Sequence, residues 1–348
     1  MSEQSLYRKY RPQKFKEVVG QEHIVSVLEG ALENKTTAHA YLFVGSRGTG
    51  KTSVARILAR ELGCHPEDLV EIDAASNRGV EDVRELREGV ASLPFRSPVK
   101  VYIIDEVHML TREAFNALLK TLEEPPAHVV FILATTDFHK VPDTIISRCE
   151  VHTFRRPSNE VLTETLKKIA KKEELAIDTE SLELIALLGD GSFRDSLGLL
   201  QKVMSLSSDK KITSAEVATI TGAAPLSLVR ALVSAILDQN LEEALKTVKQ
   251  ATSDSRDMKI FLKMLLRQIR LVMLLAFAPA LAKDMTAGLG GDEQKWLTET
   301  QAHPKAKDLP GVLRELLEAY ELTTFAAVPE LPLELALIKL LQNNDGTK

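Results

Sequence analysis

The chain has 348 residues and a net charge of −5, with 44% apolar and 27% charged residues, which is ordinary usage for a globular protein of two or three domains. Its two cysteines, Cys64 and Cys149, exclude a disulfide framework and a four-thiolate zinc site, and they fit a reducing cytoplasm. No apolar run is long enough to span a membrane, and the basic N-terminus lacks the apolar segment of a signal peptide. With this overall charge, any nucleic-acid site must be a local patch.

Short apolar runs alternate with helical patterns in the first 157 residues. The runs are apolar at consecutive positions, as strands buried on both faces are. Strands are predicted at 41–44, 69–72, 101–104 and 129–133, with an extended segment at 151–154. Helices are predicted at 52–61, 80–91 and 112–123, the last with Thr111 as a candidate N-cap. This alternation predicts an α/β fold with a parallel sheet covered by helices on both faces.

After Pro157 the strand signal ends and helical patterns follow. Helices are predicted at 160–174, 179–188 and 194–206, with a short extended piece at 212–213. From Leu226 the chain is again helical, with an interruption at 288–291 and a last helical pattern at 312–341 that breaks near Pro329 and Pro332. We therefore predict an α/β domain at 1–157, a small helical domain at 158–224 and a helical domain at 225–348.

A glycine-rich segment at 45–52 fits the pattern G-x-x-x-x-G-K-[ST], follows an apolar strand and opens a helix. Backbone N–H groups in such a loop surround phosphate oxygens, and the helix N-terminus adds partial positive charge. Lys51 is expected to reach the terminal phosphates of ATP and Thr52 to ligate Mg²⁺. The alternative is a chance match in a glycine-containing turn. The predicted nucleotide-binding residues are Gly45, Ser46, Arg47, Gly48, Thr49, Gly50, Lys51 and Thr52.

Two carboxylates, Asp105 and Glu106, follow the strand at 101–104, where open α/β sheets bind ligands. We expect Asp105 in the Mg²⁺ shell and Glu106 to polarise the attacking water. The alternative is a solvated strand end. Thr135 and Thr136 follow the next strand, and a hydroxyl there either meets the water or the γ-phosphate, or belongs to a simple turn.

Two arginines cannot be assigned from spacing. Arg148 follows a loop, and Arg194 opens a helix. An isolated arginine such as Arg148 is usually a surface charge. Arg194 either reaches back to the nucleotide or pairs with Asp195 or another neighbour.

Taken together, these segments resemble the bacterial DNA polymerase III gamma/tau family of clamp-loader ATPases. Besides the glycine-rich loop, the matching stretches are 7–12 (YRKYRP), 19–23 (VGQEH), 71–79 (EIDAASNRG), 104–110 (IDEVHML), 116–126 (NALLKTLEEPP), 132–137 (ILATTD), 147–149 (SRC) and 191–195 (GSFRD). They run through the first two predicted domains. The third domain matches only in length and helical character.

The resemblance implies an AAA+ nucleotide-binding domain, a helical lid and a helical collar that oligomerises. It implies a motor that uses ATP hydrolysis to load a sliding clamp onto primed DNA, as part of the DNA polymerase III holoenzyme. Its partners would be copies of itself and delta- and delta-prime-type subunits in a ring. The resemblance also implies that Arg148 acts in a neighbour's ATP site, that Arg194 contacts the γ-phosphate of its own subunit, and that Thr136 senses that phosphate.

The sequence departs from the family pattern in two places. The family usually carries a zinc module with four cysteines after the glycine-rich loop, but only Cys64 matches one of them. We therefore expect no zinc. We also expect this chain to lack the long C-terminal tail that would bind helicase and polymerase in the longer form.

Contacts with DNA and clamp are less well defined by sequence. Arg78, Thr111 and Arg112 precede or start helices, where free N–H groups suit a phosphate. For Thr111 the alternative is an ordinary N-cap, and for Arg78 a solvated charge. The apolar segment 93–95 either inserts into the clamp or anchors a buried loop.

Two rival functions remain open. One is another AAA+ motor, such as a branch-migration helicase. The other is a scaffold subunit that binds nucleotide without hydrolysing it, although such a scaffold needs none of Lys51, Asp105, Glu106 and Arg148.

Overall fold

The computed structural model describes residues 5–77, 79, 81, 86, 88–207, 210–253, 257–280 and 291–342. The chain forms two compact units. The first comprises Met1–Leu166 and Gly189–Gln201, and the second comprises Lys167–Leu188 and Lys202–Lys348. The domain boundaries after residues 157 and 224 stay predictions.

The first unit is built on a parallel sheet of five strands. The strands are β1 (Ala40–Val44), β2 (Leu69–Asp73), β3 (Lys100–Asp105), β4 (Val129–Thr135) and β5 (Glu150–Thr153). Their order is β2-β3-β4-β1-β5. The predicted strands are confirmed with slightly different ends. Because Val44 pairs with Thr135 and Ile104 with Leu133, the carboxyl ends of β1, β3 and β4 meet at one edge.

Helices cover both faces of this sheet, as the consecutive apolar positions predict. One face packs Tyr41 and Phe43 against α2 (Glu22–Glu33) and α3 (Lys51–Glu61). The other packs Leu42 against α4 (Arg112–Glu123). Two short helices complete the unit's first part, α1 (Leu6–Lys9) and α5 (Asp143–Ile146).

The helix α4 begins as its sequence predicts. The hydroxyl of Thr111 accepts a hydrogen bond from the N–H of Ala114 at 3.2 Å, which satisfies one free donor of the first turn. Phe115, Leu118 and Leu122 are buried along one side of the helix. Half of the residues in the helix predicted at 80–91 lie outside the described residues, and so does Arg78.

Helices dominate the chain beyond β5. They are α6 (Asn159–Lys172), α7 (Thr179–Leu188), α8 (Phe193–Leu206) and α9 (Ser214–Thr221). The predicted extended piece is β7 (Lys211–Ile212), which pairs in parallel with β6 (Ala176–Ile177).

The rest of the second unit is a helical bundle. Its helices are α10 (Leu226–Leu237), α11 (Leu241–Ser253), α12 (Met258–Phe277), α13 (Gly291–Gln301), α14 (Leu309–Thr323) and α15 (Leu331–Gln342). Phe261, Leu265 and Ile269 of α12 are fully buried, as their spacing predicts. No helix in the described part of the chain is long and apolar enough to cross a membrane.

The last helical pattern divides between α14 and α15. The break predicted near Pro329 and Pro332 is confirmed, because α14 ends at Thr323 and α15 begins at Leu331. Pro332 lies in the first turn of α15, where a missing backbone N–H removes no helical hydrogen bond. The interruption predicted at 288–291 lies mostly outside the described residues.

Candidate functional site

The glycine-rich loop joins β1 to α3 at the carboxyl edge of the sheet. Gly48 has φ 75°, and a Cβ atom there would lie 1.9 Å from the hydroxyl oxygen of Ser192, so only glycine fits. The backbone N–H of Phe193 donates to the carbonyl of Gly48 at 3.0 Å. The beginning of α8 is therefore in direct contact with the loop.

The amine of Lys51 lies inside the loop. It donates to the carbonyl oxygens of Gly45 at 2.7 Å and Ser46 at 3.0 Å, and the residue is only 5% exposed. Burial lowers the pKa of Lys51, while the carboxylates of Glu106 and Asp105 act in the opposite direction. The loop thus holds a cation directed at its own centre, where an anionic ligand would meet it.

A hydrogen bond between a hydroxyl and a carboxylate joins the end of the loop to β3. The hydroxyl of Thr52 donates to Oδ2 of Asp105 at 2.8 Å, and Oδ1 of Asp105 accepts from the N–H of Glu106 at 3.0 Å. Hydroxyl and carboxylate oxygens are the protein ligands that Mg²⁺ accepts beside phosphate and water. The structure brings together the two residues that we predicted as the metal ligands.

Glu106 is held at the end of β3 by the neighbouring strand. Its Oε2 accepts from the hydroxyl of Thr136 at 2.8 Å and from the N–H of Thr136 at 3.2 Å. The Nδ1 atom of His108 lies 3.5 Å from the same oxygen and 2.9 Å from the hydroxyl of Thr135. Thr135 is fully buried, whereas Thr136 is exposed. Of the two threonines, Thr136 is therefore the one beside the carboxylate.

These residues fit a nucleoside triphosphate with Mg²⁺. The hydroxyl of Ser46 is buried and has no hydrogen-bond partner among the described residues, an arrangement that costs free energy unless a ligand satisfies it. The loop supplies backbone N–H groups at the start of α3. Lys51 supplies the charge for the phosphates, and Thr52 with Asp105 supplies the oxygens for the metal.

The two unassigned arginines lie in different surroundings. Arg148 donates to the carbonyl of Thr144 at 2.7 Å and to Glu123 at 2.6 Å, and its side chain is 33% exposed. Arg194, in the first turn of α8, has its guanidinium 5.1 Å from the centre of the Tyr7 ring. Of the two, Arg194 directly follows a residue that contacts the loop, since the N–H of Phe193 donates to Gly48.

Gln21 was missed as a site residue. It is fully buried, exchanges hydrogen bonds with the backbone of Arg155 at 2.7 and 3.1 Å, and approaches the carbonyl of Thr49 at 3.5 Å. It therefore ties the glycine-rich loop to the segment after β5. The available signal was its position within the VGQEH stretch.

The cysteines offer no thiolate. Cys64 is buried and Cys149 is partly buried, and burial raises the pKa of Cys149 to about 12. In the part of the chain that the structure describes, no group of three or more His, Cys, Asp or Glu residues could hold a metal ion. The absence of zinc stays a prediction.

Three family profiles match the chain. One is described as DNA polymerase III, delta subunit, and matches residues 20–79 and 67–158. The second is the ATPase lid domain of the DNA polymerase III clamp loader subunit, over residues 161–208. The third is domain III of DNA polymerase III subunits gamma and tau, over residues 212–347.

Curated relatives agree with these profiles. The DNA polymerase III subunit gamma of Buchnera aphidicola subsp. Acyrthosiphon pisum is 39% identical over 73% of this chain and 76% of the relative. This chain belongs to the DNA polymerase III gamma/tau family. The tau subunit of Bacillus subtilis is 38% identical over 99% of this chain, and that of Escherichia coli is 40% identical over 82%. The chain spans 64% and 48% of those two relatives.

Solved structures give the fold. The Thermotoga maritima RuvB Holliday junction branch migration motor superposes with a TM-score of 0.53 over 66% of this chain and 80% of that chain, at 22% identity. This likeness concerns the fold alone. With the lid profile it establishes the predicted AAA+ architecture of this gamma/tau family member, and that architecture implies the use of a nucleotide and Mg²⁺.

Proposed function

We propose that this chain is the ATP-hydrolysing motor subunit of a bacterial clamp loader, which opens a sliding clamp and loads it onto primed DNA. The observation that carries this proposal is a complete hydrolytic set in a member of the gamma/tau family. Lys51 lies inside the loop, Thr52 meets Asp105, and Glu106 lies at the end of the same strand.

Each of these side chains has a distinct role in the proposal. Lys51 neutralises the β- and γ-phosphates, and Thr52 and Asp105 hold Mg²⁺. The bound metal ion supplies positive charge that bridges the phosphate oxygens. Glu106 polarises the attacking water, and Thr136 orients that carboxylate through its hydroxyl. The other loop residues, Gly45, Ser46, Arg47, Gly48, Thr49 and Gly50, surround the phosphates.

Two arginines complete the site in the proposal. Arg194 contacts the γ-phosphate of its own subunit, which the contact between α8 and Gly48 supports. Arg148 acts in the site of a neighbouring subunit. Its partial exposure supports this role, since an arginine that serves a second subunit must lie at the surface.

An exposed apolar surface supports assembly into a ring. It lies on α14, α15 and their connection. Single exposed apolar side chains are ordinary on protein surfaces, whereas a group of them marks an interface. Its residues, between 44% and 88% exposed, are Leu317, Leu322, Phe325, Val328, Leu331 and Leu335. We propose that it packs against copies of this chain and against delta- and delta-prime-type subunits.

A second exposed surface supports contact with the clamp. Leu93 and Phe95 are 78% and 76% exposed, which disfavours the alternative of a buried loop anchor. Asp68 holds this loop by accepting hydrogen bonds from the N–H groups of Phe95, Arg96 and Ser97. A carboxylate with three backbone donors fixes the loop in the region where the family usually has zinc.

Three further statements belong to the proposal. The protein works without zinc in the cytoplasm. Its nucleotide-binding, lid and collar domains comprise residues 1–157, 158–224 and 225–348. Primed DNA binds to the assembled ring.

One experiment separates this function from its rivals. The chain is assembled with its partner subunits, and ATP turnover is measured with and without clamp and primed DNA. We expect turnover to rise only when both are present. The same ring with Glu106→Gln is the negative control and should show no turnover. Turnover stimulated by branched DNA without a clamp would favour the helicase, and a ring with no turnover under any condition would favour the scaffold.

A further inference from the structure

The N-terminal helix α1 lies along one side of α8. The backbone N–H of Leu6 donates to Oε1 of Gln201 at 3.0 Å, and the ring of Tyr7 lies beneath the guanidinium of Arg194. Arg194 and Gln201 are about two helical turns apart on α8 and therefore face the same side. Leu6 is 4% exposed, so this segment is packed and is not free in solvent.

Few other contacts hold the side chain of Arg194 in position. Among the described residues it has no carboxylate partner, and the positive charge of Arg194 opposes that of Arg11. Arg8 also lies over Tyr7, at 5.8 Å from the ring centre. Like charges in this cluster repel each other, and the electron-rich face of the Tyr7 ring is the attractive group that Arg194 contacts.

We infer that Tyr7 is a positioning residue for Arg194, whose ring holds the guanidinium where it can meet the terminal phosphate of ATP. This inference rests on the proposed function, because it takes the γ-phosphate as the group that Arg194 contacts. In this inference the ring acts through Arg194. It limits the orientations of a long, flexible side chain, and it leaves the outer N–H groups of the guanidinium free to donate.

The hydroxyl of Tyr7 has separate contacts. Hydrogen bonds with Ser5 and Arg8 lower the pKa of Tyr7. Tyr7→Phe removes these contacts and keeps the ring face, whereas Tyr7→Leu keeps apolar bulk and removes the ring face. The two variants therefore separate the cation–π contact from both packing and hydrogen bonding.

Binding of a non-hydrolysable ATP analogue and of ADP to the full-length subunit is measured by calorimetry. We expect Tyr7→Leu to weaken the analogue about twofold to fivefold, as the loss of an exposed cation–π contact predicts, and to leave ADP unchanged. Tyr7→Phe should match the wild type. Tyr7→Leu in an Arg194→Ala background should cause no further loss. The matched control is Tyr10→Leu, since the ring of Tyr10 in the same segment faces Lys9.

Several results would overturn the inference: equal weakening of both nucleotides, a Tyr7→Phe defect as large as that of Tyr7→Leu, or losses that add to Arg194→Ala. An Arg194→Ala variant that binds the analogue normally would also overturn it, because there would be no phosphate contact to position. These outcomes are independent of the clamp-stimulated turnover of the wild-type ring, whose absence would instead refute the proposed function. Thermal denaturation of each variant shows whether it is folded.

Discussion

Thr136 donates two hydrogen bonds to one oxygen of Glu106, from its hydroxyl at 2.8 Å and from its backbone N–H at 3.2 Å. Glu106 itself has φ 50°, a left-handed conformation that non-glycine residues adopt at a cost and that is concentrated at functional sites. The end of β4 therefore fixes the orientation of the carboxylate at the end of β3. In the proposed reaction this carboxylate is the base.

Glu106→Gln should keep nucleotide binding and stop hydrolysis. The amide still accepts from Thr136 and leaves Thr52 and Asp105 in place, but it cannot take a proton from water. Binding of a labelled ATP and turnover in the assembled ring are measured for this variant and for Glu113→Gln, an exposed control on α4. If Glu106→Gln failed to bind ATP, the separation of roles between Asp105 and Glu106 would be wrong.

Lys51→Ala should weaken ATP binding by roughly a hundredfold, because the phosphates lose charge-assisted hydrogen bonds worth about 3 kcal/mol. Its matched control is Lys120→Ala on the outer side of α4. Calorimetry with ATP and Mg²⁺ measures the change in both. An unaltered affinity in Lys51→Ala would show that the glycine-rich loop is not the phosphate site.

Arg148→Ala should leave nucleotide binding to the isolated subunit unchanged, while turnover in the ring falls by a factor on the order of 10³–10⁵, as the loss of an arginine finger predicts. Rings assembled from two different variants test whether Arg148 acts in a neighbouring subunit. A Lys51→Ala subunit still offers Arg148, and an Arg148→Ala subunit still offers its own loop.

Rings that contain both variants should therefore recover part of the turnover that neither shows alone. Rings shown to contain both, yet still inactive, would instead assign Arg148 to its own subunit. In that case its ion pair with Glu123 would be its main role.

Metal analysis of the purified chain should find no stoichiometric zinc. A structural zinc site needs four ligands, most often in closely spaced pairs, and Cys64 has no second cysteine near it in the sequence. The measurement is mass spectrometry after dialysis, with a zinc-binding relative as the positive control. One tightly held zinc per chain would refute the prediction.

Asp68→Asn should destabilise the loop that carries Leu93 and Phe95. Hydrogen bonds from Ser97, Phe95 and Arg96 lower the pKa of Asp68 from 3.8 to about 2, so the folded state binds its proton more weakly than the unfolded state. The stabilisation is therefore present above about pH 4 and is lost as the pH falls toward 2.

The difference in urea midpoint between wild type and Asp68→Asn should be largest near neutral pH and should shrink through that acidic window. A difference that stays constant with pH would mean that the charge of Asp68 does not stabilise the loop.

The sequence alone determined the elements that depend on local pattern. Consecutive apolar residues predicted the strands of the sheet, and the helical pattern at 112–123 with its N-cap Thr111 predicted α4. The glycine-rich loop could also be predicted, because its glycines, Lys51 and Thr52 are adjacent and their chemistry follows from that spacing. The carboxyl ends of parallel strands meet at one edge, which predicts that Asp105 and Glu106 lie near the loop.

Only the tertiary structure determined which distant segments contact one another. Tyr7 meets Arg194, Gln21 meets Arg155, and Glu123 meets Arg148 only through the order of the strands and the packing of the helices. The same holds for Thr135 and Thr136, which are equivalent in sequence. Thr135 is the last residue of β4 and is buried, whereas Thr136 lies just beyond the strand, is exposed and contacts Glu106. Local patterns encode which element forms, whereas the pairing of residues far apart in the chain depends on the whole fold.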